Sequence, residues 1–369
     1  MTDRLYRIAP CDVPIVLEVD VLVTGGGFAG VCAAVAAARA GAKVALLERD
    51  GLLGGQAAEI YTFGLDAVFG DAGRQIIKGL PWEIMRRTAE LGDSDPSWTE
   101  VDVDVLEREG YDAALAPFGM SAAWKSHAWL DRGAFRHVLR TLCREERVTV
   151  VLESPIGGAM LEGERVTGVI AQGAYGPFAI AGSVVVDTTP SAVVAAASGR
   201  RFAYPQVYLG THPHVSGIDI GRLIKFVCEH SDDVDVLGSG EDTPDAAALS
   251  TLVARGLPLY FSGFAAVRSS AIGEDSAYEE TGVSEKGENW FFYDRDGCGT
   301  YWLQHRTPEW RYSRLDDPLH MSQAILGLRR RQWLTHEMFR RYVPGFEQAH
   351  LEDVHPHIAR ALRQSKEPG

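Results

Sequence analysis

Residues 19–48, VDVLVTGGGFAGVCAAVAAARAGAKVALLE, run as strand, glycine turn, helix, second strand and terminal carboxylate. That order leaves few folds open to the chain. Val19 to Val23 is short, apolar and β-branched, the pattern of a strand buried on both faces of a parallel sheet. Gly25, Gly27 and Gly30 follow in GxGxxG spacing. The first permits a tight turn, the second lets a pyrophosphate approach the backbone, and the third lets the next helix sit close to the strand. Phe28 and Ala29 open a helix rich in alanine and valine that reaches about Ala40, and its first N–H groups and positive dipole end face the phosphates. Gly41 closes it, and the strand Lys43 to Leu47 delivers Glu48, where a carboxylate accepts the hydroxyls of a ribose and disfavours a 2′-phosphate. The unit reads as a docking site for a dinucleotide.

The rest of the composition narrows the partners. With 369 residues, 46% of them hydrophobic and 23% charged, the chain has core enough for two domains. A formal charge of −14 argues against nucleic acid and against an anionic membrane, since both reward a basic face. No apolar run has the length of a membrane span, and the opening MTDRLYRIAPCDVP lacks the regions of a signal peptide, so a cytoplasmic location is expected. Cys11, Cys32, Cys143, Cys228 and Cys298 show no CxxC or metal-ligand spacing, so no metal, iron–sulfur cluster or redox disulfide is expected.

Just past Glu48 and Arg49 the chain reads GLLGGQAA, with Gly54 and Gly55 in a loop where a nicotinamide-binding domain would continue into a helix. A second glycine loop lets backbone run along a ligand that extends beyond the pyrophosphate. Further on, Phe135, Val138, Leu139 and Leu142 lie at helical spacing. Val148 to Leu152 reads as a buried strand, ERVTGVIAQ as a strand after a turn, GAYGPFAIAG as the turn into a last meander strand, and Ser183 to Val186 as another buried parallel strand.

Segments VTGGGFAGVCAAVAAARAGAKVALLER and LLGGQAA, with residues 131–199, resemble the FAD-binding fold of the glutathione-reductase-like flavoproteins, and within them the FAD-dependent oxidoreductases related to the fumarate reductase flavoprotein group. The resemblance implies an α/β architecture: a Rossmann-like FAD-binding domain with a parallel sheet and a three-stranded meander, plus an α+β substrate domain. It implies a discontinuous FAD domain over 1–90, 128–200 and 320–369, with a substrate domain from 91–127 and 201–319. It places backbone near Ile156 at the adenine, Glu48 and Arg49 at the ribose, Gly54 to Gln56 at the pyrophosphate and ribityl chain, and Thr188 and Thr189 in the turn beneath the dinucleotide. Read from their type alone, those two threonines also suit the cap of the next helix. No histidine lies in GGQAAEIY, where some relatives attach the flavin, so FAD is expected to be non-covalent.

Two departures from the family pattern bear on the site. The turn after the returning strand is Asp187, Thr188, Thr189, Pro190 and Ser191 in place of the family's Asp-Ala-Thr-Gly-Asp, which removes one N–H and one carboxylate. The sequence also closes at ARALRQSKEPG, where relatives continue into a strand and helix facing the pyrimidine edge of the flavin. A second polypeptide supplying that segment is the expectation.

Outside the glycine loops the candidates are sparser. His212 and His214 stand two apart, so on one extended segment they share a face, and His214 is a candidate to take a substrate proton as hydride leaves for the flavin. In GTYWLQHR, His305 is a second such candidate and Arg306 suits a bidentate grip on a substrate carboxylate. Solvent-facing histidines around a proline and a surface ion pair are the plainer readings of the same residues. A helix is expected from Met321 to Tyr342, ending before Pro344 and Gly345. The expected activity is hydride transfer between a small organic substrate and flavin N5. The alternatives are a non-catalytic, cofactor-holding subunit and, disfavoured by Gly54 and Gly55, a nicotinamide-only dehydrogenase.

Overall fold

The computed structural model describes residues 12–59, 65–66, 75–92, 103–110, 113–114, 127–128, 130–200, 206–237, 245–254, 259–281, 291–293, 299–301, 303–304, 317–353 and 359–363. The chain divides into two units. The first comprises Met1–Ala58, Gly79–Gly92 and Asp131–Tyr204, and the second Glu59–Lys78, Asp93–Leu130 and Pro205–Gly369.

The first unit is built on strands β1 (Ile15–Thr24) and β2 (Val44–Leu47), with helix α1 (Phe28–Arg39) between them. Leu22, Val23, Ala45, Leu46 and Leu47 are all buried, as inner strands of a covered parallel sheet require. Each such leucine or valine stabilises the fold by roughly 1.5–3 kcal/mol when fully buried. Downstream come β5 (Thr149–Val151), β6 (Ile156–Glu162), β7 (Arg165–Gly173) and β8 (Gly176–Asp187), giving a sheet of order β5-β2-β1-β8-β7-β6. β5, β2, β1 and β8 run parallel, while β6, β7 and β8 form the antiparallel meander. This is the mixed α/β, Rossmann-like arrangement expected. One core of Val19, Leu22, Ala45, Leu47, Val169, Ala171 and Ile180 runs under both parts.

The last meander strand and the returning strand, read separately in the sequence, are one strand. β8 pairs antiparallel with β7 through Phe178 to Ala181 and parallel with β1 from Ala179 to Asp187. Gly182 carries no turn: it continues the ladder opposite Val19, and an added Cβ there would meet Leu22 at 2.9 Å, so a glycine suits close packing between neighbouring strands. β1 likewise begins at Ile15, four residues before its apolar run.

The remaining helices of the first unit are short α2 (Gln56–Glu59), which lies in it as far as Ala58, α3 (Leu80–Leu91), then α5 (Arg132–Glu145) and α6 (Val193–Ala197), while α4 (Val103–Glu109) belongs to the second. Asp131 caps α5 by accepting from Ala134 N at 2.6 Å, and its buried face is Phe135, Val138, Leu139 and Leu142, the spacing seen in the sequence.

In the second unit, β3 (Leu65–Asp66) pairs with β4 (His127–Ala128). β9 (Gln206–Thr211), β15 (Leu303–Gln304) and β17 (Ala359–Arg363) form a three-stranded sheet. β10 (His214–Ser216), β11 (Val234–Leu237), β12 (Leu259–Gly263), β13 (Phe291–Tyr293), β14 (Gly299–Tyr301) and β16 (His350–Asp353) form a six-stranded antiparallel one. Helices α7 (Ile220–Glu229), α8 (Ala246–Ala254), α9 (Ala265–Glu274) and α10 (Pro318–Tyr342) accompany them. α10 starts at Pro318, behind the Asp317 cap and three residues before Met321, and ends ahead of Pro344 as expected.

Residues 320–369 group with the second unit rather than with the dinucleotide unit, as do 59–78. β16 pairs with β10 and β17 with β9, and those ladders are made of backbone groups that leave no side-chain signature in the sequence.

Candidate dinucleotide site

The site begins where β1 ends. Gly25 holds φ at +94° and donates its N–H to Leu47 O at 2.8 Å, which seats the turn on the end of β2. Gly30 packs so closely that an added Cβ would lie 1.8 Å from the Gly25 carbonyl oxygen. Gly27 is the opposite case. An added Cβ meets nothing within 4 Å, and as N-cap of α1 it offers no side chain to the helix N–H groups. Open space before uncapped N–H groups at Phe28 and Ala29 is what an anion needs.

Gly54 and Gly55 lie beside this turn. Gly54 N donates to Gly26 O at 2.9 Å, Gly27 and Gly54 form a parallel bridge, and a Cβ on Gly55 would stand 3.1 Å from Gly27 Cα. Gly54 itself has φ +116° and no room for a Cβ, which would fall 2.3 Å from that of Ala58. The two glycine loops therefore form one cradle, with exposed Gln56 opening α2 at its rim. A pyrophosphate with a chain continuing beyond it fits this arrangement.

Glu48 is buried, and its carboxylate accepts from Gly26 N and, at 2.9 Å, from Asp50 N. A carboxylate has about four acceptor positions, so two remain for ribose hydroxyls. Glu48 O accepts from Ser154 N at 3.0 Å, which brings the segment leading to half-buried Ile156 against Glu48. Arg49 is exposed and paired with Asp50 at 3.0 Å.

Thr188 joins the first glycine turn, and Thr189 caps the next helix. The Thr188 hydroxyl lies 2.8 Å from Thr24 O and from Gly25 O, while Thr189 Oγ1 accepts from Val193 N at 2.8 Å at the start of α6. Asp187, not singled out in the sequence, adds to the cap by accepting from Val194 N and Ala195 N at 2.9 and 3.2 Å. An aspartate just ahead of a short helix was its one available signal.

The histidine pair is separated. His212 follows β9, His214 begins β10, and the chain changes sheets between them, so they do not share a face of one extended segment. His212 is buried rather than solvent-facing, and burial pushes its imidazole down to about 3. His214 is half-buried in the second unit, opposite Thr300 and Asp353. His305 and Arg306 lie outside the described residues. Among the described residues no group of three or more His, Cys, Asp and Glu is placed to hold a metal, and no helix is long and apolar enough to cross a membrane.

Residues 20–365 match the family model described as FAD dependent oxidoreductase. Among solved structures, the chain is similar to a geranylgeranyl bacteriochlorophyll reductase-like protein from Thermoplasma acidophilum at 14% identity and TM-score 0.44, covering 94% of this chain and 66% of that one. It is similar to L-proline dehydrogenase from P. horikoshii at 12% identity and TM-score 0.44, over 95% and 83% of the two chains. A third likeness, to glycerol-3-phosphate dehydrogenase from Bacillus halodurans complexed with FAD, has 13% identity and TM-score 0.41 over 78% and 47%. These structural likenesses are distant and carry no argument about substrate.

Proposed function

Because the chain belongs to the family of FAD dependent oxidoreductases, with FAD as cofactor, we propose that it transfers a hydride between a small organic substrate and flavin N5. The flavin supplies the hydride-accepting ring, and the chain's own residues supply binding, orientation and a proton acceptor. Gly25, Gly27, Phe28, Ala29 and Gly30 face the pyrophosphate, and Gly54, Gly55 and Gln56 follow the ribityl chain. Glu48 and Arg49 serve the ribose, the backbone near Ile156 serves the adenine, and FAD is held without a covalent bond. His214 is the proposed proton acceptor, with His305 as a second candidate and Arg306 as the clamp for a substrate carboxylate. The observation that supports this reading is the pair of interlocked glycine loops, joined through Gly54 N to Gly26 O at 2.9 Å and open at Gly27.

The experiment is the visible spectrum of the purified chain during anaerobic addition of candidate substrates. A yellow protein that releases FAD on denaturation and bleaches with a substrate is expected, whereas a colourless protein supplied with FAD would end the proposal. A protein that stays yellow with every substrate offered favours the cofactor-holding alternative, to which Pro190 and Ser191 in the family's Gly-Asp positions lend support.

A further inference from the structure

The geometry points to Arg136 as the residue that positions the flavin half of the cofactor, an assignment that rests on the FAD reading above. Arg136 stands on α5 beside Phe135, whose ring centroid lies 5.6 Å from that of Phe28, the first residue of α1. Phe135 and Leu139 form the wall behind the second glycine loop, 3.5 and 3.1 Å from where a Cβ on Gly54 would be. From that wall the guanidinium reaches the loop itself, donating from an Nη to Ala58 O at 2.5 Å.

Ala58 closes the loop. Its N–H donates to Gly55 O at 3.0 Å, while at the other end Gly54 N donates to Gly26 O at 2.9 Å. The loop is thus held at two points, by the first glycine turn at Gly54 and by Arg136 at Ala58. A charged donor on a backbone carbonyl makes a stronger bond than a neutral one. Nε of Arg136 is meanwhile buried without a hydrogen-bond partner, so the side chain gives up one donor's hydration to keep this reach. Glu48, by contrast, is tied to Gly26 and Asp50 and serves the adenosine end. Arg136 therefore acts on the part of the cradle that follows the pyrophosphate, and it does so as a positioning residue through the Gly54–Ala58 loop.

The test compares FAD with ADP, which carries the adenosine and the pyrophosphate but lacks the ribityl chain and flavin ring, as ligands for the full chain and its variants by titration. Arg136→Met should raise the Kd for FAD about tenfold or more, roughly 1.4 kcal/mol, and leave that for ADP within about twofold. Arg136→Lys, which keeps a charged donor, should recover most of the loss. Arg136→Gln is too short to reach Ala58 and should show the same split, and it decides the matter should the methionine variant not fold. Unchanged FAD affinity, or loss of ADP in step with FAD, would overturn the role. A wild-type chain that binds ADP but no FAD would overturn the cofactor reading and the role with it.

Discussion

The Thr188 hydroxyl lies 2.8 Å from the Gly25 carbonyl oxygen, and equally from that of Thr24, so the end of β8 is bonded to the first glycine turn across 163 residues of sequence. Thr188 N also donates to Thr24 O at 2.9 Å. Removing only the hydroxyl, as in Thr188→Val, should destabilise the first unit by about 0.5–1.5 kcal/mol and loosen FAD with it. Urea unfolding followed alongside flavin fluorescence checks both. A variant as stable as wild type would show that the hydroxyl does not hold the turn.

Gly27 and Gly30 should fail in different ways. Gly27→Val adds a side chain into open space, so the protein should fold and lose FAD. Gly30→Val places a Cβ against the Gly25 carbonyl, so folding itself should suffer by several kcal/mol, on the order of 1–3 or more for overpacking. Circular dichroism with flavin content separates the two. Stoichiometric flavin in Gly27→Val would move the pyrophosphate elsewhere.

Glu48→Ala strips the acceptor from Gly26 N and Asp50 N as well as from the ribose. FAD affinity should fall by about 1–3 kcal/mol, and ADP affinity should fall with it, because the loss is at the adenosine end. That parallel loss contrasts with the split expected for Arg136. Titration with both ligands is the measurement, and loss confined to FAD would count against the ribose role.

His212 should make the second unit sensitive to acid. Burial holds its imidazole at about 3, while in the unfolded chain it protonates near 6.5. Below 6.5 the unfolded state therefore takes up a proton that the native state refuses, so the stability present above 6.5 is lost as pH falls toward 3, at about 1.4 kcal/mol per pH unit for one group. His336, pushed down to about 4 by burial with the charges of Arg340 and His350 adding to it, acts in the same direction. Between pH 6 and 4.5, roughly the shared window, His212→Gln should show a distinctly shallower loss of stability than wild type in urea unfolding. Identical slopes would show that the His212 imidazole gains its proton without unfolding.

The sequence by itself determined the first unit's centre, because every part of it is local. Gly25, Gly27, Gly30 and Glu48 fall within one strand, helix and strand, where Gly25 answers the turn, Gly30 the close packing on Gly25 O, and Gly27 the open space before the helix. The periodicity of Phe135, Val138, Leu139 and Leu142 likewise names its own buried face. Tertiary structure decided what depends on distant backbone. Which sheet β16 and β17 join, the continuity of β8, and the parting of His212 from His214 are set by ladders between peptide groups that every residue carries alike. The grip of Arg136 on Ala58 O, 78 residues away, and of Thr188 on Gly25 O end on carbonyl oxygens, and a carbonyl leaves no mark in a sequence to show what will come to bond it.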